Sequence, residues 1–249
     1  MIKKKIEKDY NKKIQKLIKL NKHYYEDNNP LVDDREYDAL KKDILELESK
    51  YSNLKNKNSP SLIIGFKPSK NFKKVSHRVP MLSLVNAFDQ DDLINFEKKI
   101  MNYLNQKGRF EIEYSAEPKI DGISASLSYE NGNFVTGLSR GDGKEGEDIT
   151  ENLKTINDIP KKISSKDFPN DIEIRGEIFI QNEDFKKLSG KFANPRNAAS
   201  GSLRQKNPFE TKKIPLKFIA YTFGYEKGLE TSKQSEFLKK LKEWGFKTN

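Results

Sequence analysis

The stretch SASLSYENGNFV, residues 124–135, predicts a β-hairpin. Its first half alternates serine with apolar residues, and a period of two is typical of a strand with one buried face. Asn131 and Gly132 follow, and this pair favours a two-residue turn because both tolerate positive φ. Phe134 then begins the returning strand, so the chain is expected to contain antiparallel pairing.

Outward from the hairpin, helical patterns dominate the preceding residues and strand patterns the following ones. Apolar residues that alternate or form short runs predict further strands at 110–117, at 172–180 with a break at Gly176, and at 216–223. Apolar residues at steps of three and four predict helices at 2–18, 33–51, 88–104 and 236–244, whereas 52–74 is interpreted as a linker. Helices followed by clustered strands indicate an α+β fold and not a doubly wound sheet.

The composition is that of a polar chain. Among 249 residues, 47 Lys and Arg accompany 37 Asp and Glu, which gives a formal net charge of +10. Cysteine is absent, and this excludes disulfides, cysteine-ligated zinc, thiolate catalysis and iron–sulfur clusters within the chain. No apolar run approaches the roughly 18–20 residues of a membrane span, and the N-terminus lacks a signal-peptide pattern. We therefore expect a cytoplasmic protein with no membrane partner.

Most of the excess positive charge lies in residues 1–22, where nine lysines accompany Glu7 and Asp9. The apolar residues of this segment form one helical stripe, which leaves lysines on the other face. Such a face suits an anionic partner, for example a nucleic-acid backbone or a nucleotide. The alternative is a solvated helix face in a lysine-rich chain.

The motif EPKIDG, residues 117–122, offers a candidate nucleophile in Lys119. A lysine amine attacks only when it is neutral, so its site must be desolvated or lie beside another cation. A strand before Lys119 and another after it would bury its stem and present the amine at the floor of a pocket. The alternative is a charged turn, because Lys-x-Asp-Gly alone is a weak signal in a chain this rich in lysine.

Two further motifs carry groups that suit a nucleotide. RGDGKEG at 140–146 is either a glycine loop that brings Arg140 to a phosphate or a plain turn. Its position after a hairpin argues against the dinucleotide-binding βαβ unit. Glu177 interrupts an apolar strand, where it would bind a ribose hydroxyl, help to hold a divalent cation or pair with Arg175.

A last candidate segment, residues 192–204, places Arg196 and Arg204 around small residues. This pattern is expected where guanidinium groups close on phosphates. His23 and His77 lie far apart without ligand-spaced neighbours, so no metal site is assigned to them.

In this order and spacing, the motifs resemble the N-terminal part of bacterial NAD-dependent DNA ligases. The resemblance runs from about Asn21 to the C-terminus. It rests on YY at 24–25, DDREYD at 33–38, HRVPMLSL at 77–84, EPKIDG at 117–122, RGDG at 140–143, RGE at 175–177 and the stretch 194–204. It implies a helical NAD-binding subdomain at 1–66. An antiparallel-sheet, ATP-grasp-like nucleotidyltransferase domain would follow at 67–249, incomplete at its C-terminus.

The resemblance also implies a reaction. AMP would pass from NAD to Lys119 and then to the 5′-phosphate of nicked double-stranded DNA, and the 3′-hydroxyl would displace it, with Mg²⁺ as cofactor. Such an enzyme serves DNA replication and repair, and we expect a monomer.

Position within these motifs assigns roles, as implied by the resemblance. The catalytic residues would be Lys119, Asp121 and Glu177. The NAD-binding residues would be Tyr24, Asp34, Tyr37 and Asp38 for the nicotinamide half, and Ser83, Leu84, Glu117, Lys119, Arg140, Glu177 and Tyr221 for the remainder. Arg196 and Arg204 would contact phosphates of the nucleotide or of the nick.

The family continues past the position of Asn249 with a DGVVIK-type strand that carries a second lysine, and with OB-fold, zinc, helix–hairpin–helix and BRCT regions. We therefore expect a fragment or a truncated gene product with weak or no self-adenylation and no nick sealing. Two alternatives stay open. One is a non-catalytic NAD- or nucleic-acid-binding module derived from a ligase. The other is an ATP- or GTP-using relative, such as an RNA ligase or a capping enzyme.

Overall fold

A helical N-terminal part precedes a sheet-rich remainder. The computed structural model describes residues 2–25, 31–55, 59, 72–105, 111–188 and 192–249. In chain order the elements are α1 (Ile2–Tyr25), α2 (Asp34–Lys50), a 3₁₀ turn (Ser52–Leu54), β1 (Lys74–Ser76), α3 (Gln90–Tyr103), β2 (Ile123–Glu130), β3 (Asn133–Ser139), β4 (Glu145–Glu147), α4 (Thr150–Leu153), β5 (Asp171–Phe179), α5 (Asn182–Lys187), α6 (Pro195–Leu203), α7 (Pro208–Lys212), β6 (Lys217–Lys227) and α8 (Gln234–Glu243).

The first two helices pack against each other through one apolar face each. Tyr10, Ile14 and Leu17 of α1 and Ile44 of α2 are buried together, as the helical spacing predicted. Asp33 caps α2, because its side chain accepts a hydrogen bond at 2.8 Å from a backbone N–H in the first turn. The helices predicted at 2–18 and 33–51 are confirmed, and together they form a helical hairpin.

The predicted hairpin at 124–135 forms two adjacent strands of the main sheet, β2 and β3. Four antiparallel strands follow the order β3-β2-β5-β6, and β1 pairs with β4 in a separate two-stranded ladder. Asn131 and Gly132 have φ of 48° and 75°, the two positive values that this turn requires. The α+β fold class is confirmed.

The two central strands give the sheet one apolar face and one polar face. The apolar face packs into the core, where the ring of Tyr129 contacts those of Phe134, Phe168 and Phe246. The polar face carries alternate residues of both strands, which lie opposite one another in the ladder: Ser124 opposite Glu177, Ser126 opposite Arg175 and Ser128 opposite Glu173. Polar residues at this depth need partners, so the polar face locates the functional site.

Two strand predictions are wrong. Residues 111–121 form no strand, although alternation predicted one up to Glu117. Alternation indicates a surface that can pair but does not supply the partner strand, and β2 pairs with β3 and β5 instead. The predicted break at Gly176 is also wrong, because strand β5 runs through this residue. Glycine is needed here for close packing, since an added Cβ would lie 2.3 Å from Phe218 Cζ.

Helix α3 forms close to its predicted limits but buries none of its residues. Leu93 and Phe96 of its predicted apolar face remain 58% and 52% exposed. Most of the predicted linker at 52–74 lies outside the described residues. Within the described parts of the chain, no helix combines the length and apolarity needed to cross a membrane.

Candidate active site

The polar face of the sheet forms the floor of the site. The Ser124 hydroxyl donates a hydrogen bond to Glu177 Oε2 at 2.8 Å across the β2–β5 ladder. Glu177 is only 8% exposed. A carboxylate held at this depth by a hydroxyl is available to bind the polar edge of a ligand.

Three cations from separate segments surround Glu177. Burial raises the pKa of Glu177 above its ordinary value, whereas the Ser124 hydrogen bond and the charges of Arg196, Lys119 and Arg140 oppose that rise. The cations come from α6, from the segment before β2 and from the loop after β3. Three positive charges exceed the one negative charge of Glu177, and the excess suits the anionic oxygens of a phosphate.

An open cleft lies beside Glu177 and ends at α6. Its lining includes Ser124, Arg140, Gly141, Glu147, Arg196 and Arg204. Glu147 is fully buried, and its Oε2 lies 2.9 Å from Arg204 Nε, which fixes the direction of that guanidinium. The cleft therefore presents three arginines to one ligand, and Glu147 orients one of them, Arg204.

Helix α6 positions two of these arginines at its ends. Asn194 caps its N-terminus, and Arg196 in the first turn donates from Nη1 to Asp121 Oδ1 at 3.0 Å. At the other end, Asn152 Nδ2 donates to the carbonyl oxygens of the residues on either side of Arg204, at 3.0 and 2.8 Å. The structure thus brings together Asp121 and Arg196, which the sequence separates by 75 positions.

Residues 77–81, which we call the strap, brace the glycine loop at 140–146. The backbone N–H groups of His77 and Met81 donate to loop carbonyl oxygens, each at 2.8 Å. His77 Nε2 lies 3.0 Å from the Arg140 carbonyl oxygen, and Nε2 must carry the proton because a carbonyl only accepts. Sequence reasoning considered His77 only as a metal ligand and missed this contact. The glycine loop also follows β3 and leads into β4, so the exclusion of a βαβ unit is confirmed.

Arg175 does not pair with Glu177, and that alternative is wrong. Its Nε donates to Glu173 Oε1 at 2.8 Å, and its terminal nitrogens donate to the carbonyl oxygens of Val79 and Pro80 in the strap. The strap carbonyls need donors, and Arg175 supplies them while Glu173 balances its charge. Glu177 is therefore available to a ligand in the cleft.

Tyr221 and Glu117 are linked through the side chain of Gln234. Register between β5 and β6 shifts at Arg175/Gly176, which makes Tyr221 the extra residue of a bulge. Burial and then the charge of Glu177 raise the pKa of the Tyr221 hydroxyl. Gln234 Nε2 donates to Glu117 Oε1 at 3.0 Å and to the Tyr221 carbonyl at 2.7 Å, so it connects the two. No local sequence signal marks Gln234 as part of the site.

Lys119 lies at the rim of the site, not at its floor. Its side chain is exposed, so the expectation that paired strands bury its stem is wrong. The cause is the missing strand before it, which leaves 111–121 on the surface. The charge of Lys119 still acts on Glu177.

Comparison with known families matches two consecutive parts of the chain. Residues 69–249 match the NAD-dependent DNA ligase adenylation domain, and residues 3–65 match the DNA ligase-like, N-terminal NAD+-binding domain. The chain belongs to the NAD-dependent DNA ligase family.

Individual DNA ligases align with nearly the whole chain. A DNA ligase of Pelagibacter ubique (strain HTCC1062) is 64% identical over 244 residues, which are 98% of this chain and 36% of that protein. DNA ligases of Rickettsia massiliae (strain Mtu5) and Parvibaculum lavamentivorans (strain DS-1) are 47% and 46% identical, over 94% and 93% of this chain and 34% of each relative. The chain thus spans about a third of the length of these curated relatives.

Four other residues to which the sequence analysis gave a role in NAD binding do not line the cleft: Tyr37, Asp38, Ser83 and Leu84. Ser83 and Leu84 are on an exposed segment and do not line it. In the helical part, the Tyr37 hydroxyl donates to Asn21 Oδ1 at 2.8 Å, and Asp38 Oδ2 accepts from Asn86 Nδ2 at 2.9 Å. The side chains of two others fall outside the described residues, namely Tyr24 and Asp34.

Across the described residues, no group of three or more histidine and carboxylate side chains is arranged to hold a metal ion. Glu177, the acid best placed to contribute an oxygen, already accepts from Ser124.

Proposed function

We propose that this chain binds NAD in the cleft beside Glu177 and transfers the AMP half to Lys119, as the first step of DNA ligation. The observation that carries the proposal is a cleft lined by Arg140, Arg196 and Arg204, beside which Ser124 is hydrogen-bonded to the buried Glu177. Family membership supplies the choice of NAD over ATP.

The cleft offers a separate partner for each part of an adenylate. Glu117 and Tyr221, held together by Gln234, are placed to accept from the base amino group and to stack on the ring. Glu177 suits ribose hydroxyls, because a buried carboxylate accepts from them. Arg140, Arg196 and Arg204 suit the phosphates, as in the roles expected from the sequence.

Lys119 is the proposed nucleophile. Its neutral amine attacks the α-phosphorus, a nitrogen–phosphorus bond forms, and the bond to the bridging oxygen breaks so that nicotinamide mononucleotide leaves. The amine proton passes to solvent or to a nearby base. Because Lys119 lies at the rim, its side chain must turn towards the cleft, and positioning then supplies most of the catalysis. Asp121 would contribute to the same step by holding Arg196, which donates a hydrogen bond to it.

The residues that the structure describes do not group carboxylates into a protein magnesium site. Mg²⁺ characteristically binds through substrate phosphates with one or two carboxylates, and it supplies charge neutralisation to them. We therefore include Mg²⁺ as a phosphate-bound partner and derive no step through it.

The wider proposal follows the family. Tyr24, Asp34, Tyr37 and Asp38 would hold the nicotinamide half from a helical subdomain at 1–66, and Ser83 and Leu84 would line the dinucleotide ahead of a nucleotidyltransferase domain at 67–249. The complete reaction would seal nicked duplex DNA in replication and repair, by a monomer in the cytoplasm.

Labelling with NAD that carries a tag on its adenylate tests the proposal. We expect NAD to bind in a calorimetric titration and a weak label to appear on Lys119, with loss of that label in Lys119→Met. Lys154→Met is the matched control, because Lys154 is an exposed lysine paired only with Glu151 on its own helix turn. Label on another residue overturns the choice of nucleophile. NAD binding without label favours the non-catalytic module, and absence of both overturns the proposal.

A further inference from the structure

The outer side of α1 carries a continuous row of lysines. Positions three or four apart share one face of a helix, and six lysines follow that spacing. All six are exposed: Lys5, Lys8, Lys12, Lys16, Lys19 and Lys22, which we call the lysine row.

The lysine row lies opposite the packed face of α1. That face is closed by Tyr10, Ile14 and Leu17, which pack on α2. Lys16 of the row pairs with Glu36 at 2.9 Å. For the other five, no ion pair is found among the residues that the structure describes, and their charges therefore face solvent.

Two lysines of α1 act differently. Lys13, beside the row, reaches Asp43 at 2.7 Å, and Lys16 reaches Glu36, so both join α1 to α2. Changing either would confuse loss of binding with loss of the helical hairpin. A test of the row must use its other members.

The length and sign of the row match a nucleic-acid backbone. From Lys5 to Lys22 the helix rises about 26 Å at ~1.5 Å per residue. One strand of a duplex presents a phosphate about every 3.4 Å, so the row spans about seven phosphates. A free mononucleotide or dinucleotide is too short to engage it. The row itself contains no acid, although Asp9 borders it.

The packed face of α1 argues against a membrane partner. Amphipathic helices bind membranes by inserting an apolar face into the interface. Here that face is buried against α2, so only the charged side of the helix is available.

We propose that the lysine row binds the phosphate backbone of duplex DNA, independently of sequence, and so adds a contact outside the nucleotide cleft. This inference rests on the proposed function, under which DNA is already a substrate. Binding of this kind releases counterions, so its strength falls steeply with salt, by about 0.9 in log–log slope for each phosphate contact.

The test replaces Lys8, Lys12 and Lys19 together by glutamine, which keeps helix propensity and removes three charges. Affinity for a labelled, nicked duplex of about 30 base pairs is measured by fluorescence anisotropy between 50 and 300 mM salt. We expect the salt slope to fall by about 2–3 and the affinity at 100 mM salt to fall at least tenfold. The matched control is Lys98→Gln with Lys212→Gln and Lys239→Gln, three exposed lysines elsewhere, which gives the same net charge.

The outcomes separate cleanly. An unchanged slope, or an equal loss in the control, overturns the proposal. Equal or tighter binding of the unmodified protein to anionic phospholipid vesicles or polyglutamate also overturns it, because the row would then recognise charge alone. NAD binding and labelling of Lys119 should be unchanged in the triple variant. If the unmodified protein neither binds NAD nor labels, the proposed function fails while the DNA result still decides the row.

Discussion

Gly176→Ala would place a methyl group where the sheet has no room for it. The added Cβ would lie 2.3 and 2.5 Å from Phe218 Cζ and Cε2, and 2.4 Å from the Ile219 carbonyl oxygen. Carbon atoms pack at about 3.5–4.0 Å, so the Phe218 ring must retreat by more than 1 Å. The carbonyl belongs to the ladder between β5 and β6, so it cannot retreat without loss of pairing. Overpacking of this kind costs about 3 kcal/mol at the upper end of its usual range.

A smaller effect opposes this cost. Alanine lowers the conformational entropy of the unfolded chain, which stabilises the folded protein by about 0.5–1 kcal/mol. We therefore expect the free energy of unfolding to fall by about 2 kcal/mol in total. For a chain of this size that corresponds to a fall in Tm of about 4–8 °C. Because Gly176 lies between Arg175 and Glu177, labelling of Lys119 should fall as well.

Differential scanning calorimetry measures the first effect, with Gly201→Ala as the matched control. At Gly201, inside α6, the nearest atom to an added Cβ is Phe192 Cε1 at 3.2 Å, and the helix gains about 1 kcal/mol from alanine. We expect the control to melt within about 2 °C of the unmodified protein or above it. If Gly176→Ala melts as the unmodified protein does, the close packing of Phe218 on β5 is not what requires glycine.

Three more substitutions probe the site and its supports. Burial raises the pKa of Glu177, so its charge opposes folding at neutral pH, and this opposition fades as the pH falls through the raised value. Glu177→Gln should therefore be more stable in urea at pH 7, by a margin that shrinks towards pH 4, while labelling falls; a margin that grows on acidification contradicts the assignment. Arg78→Lys loses the two-pronged contact to Asp171, at 2.6 and 2.8 Å, and about 1 kcal/mol of stability. Because Arg78 lowers the pKa of Asp171, the stability difference between the variant and the unmodified protein should diminish as the pH falls below the ordinary pKa of an aspartate. Calorimetry at several pH values measures this difference, and a constant difference would refute the assignment. Asn152→Asp turns a donor into a charge facing carbonyl oxygens and should cost about 3 kcal/mol by urea unfolding, whereas a loss under 1 kcal/mol would mean that Asn152 does not support α6.

Local signals account for most of the correct predictions. The Asn131-Gly132 turn follows from backbone sterics at two adjacent positions, and the cap at Asp33 follows from one short side chain before a helix. The alternation that forms β2 also places serines on one face, so the polar floor is present in the sequence itself. These features depend on neighbours within a few positions.

The remainder depends on pairing between distant residues. Gln234 reaches Glu117 across 117 positions, and His77 reaches the Arg140 carbonyl across 63. No spacing rule connects such partners, because tertiary packing alone brings them together. The same limit explains the strand wrongly expected before Lys119: its residues alternate, but a strand also needs a partner strand, which a local pattern does not supply.

The polar face of the sheet depends on the register between β2 and β5. Sliding β2 by a single residue would turn Ser124 and Ser126 into the core and present Ala125 and Leu127 to the charged partners across the ladder. In a misaligned sheet, Glu177 and Arg175 would face apolar side chains, and burial of their charges without partners would destabilise that arrangement. We therefore expect the polar face to form only in molecules whose β2 and β5 are paired in the native register.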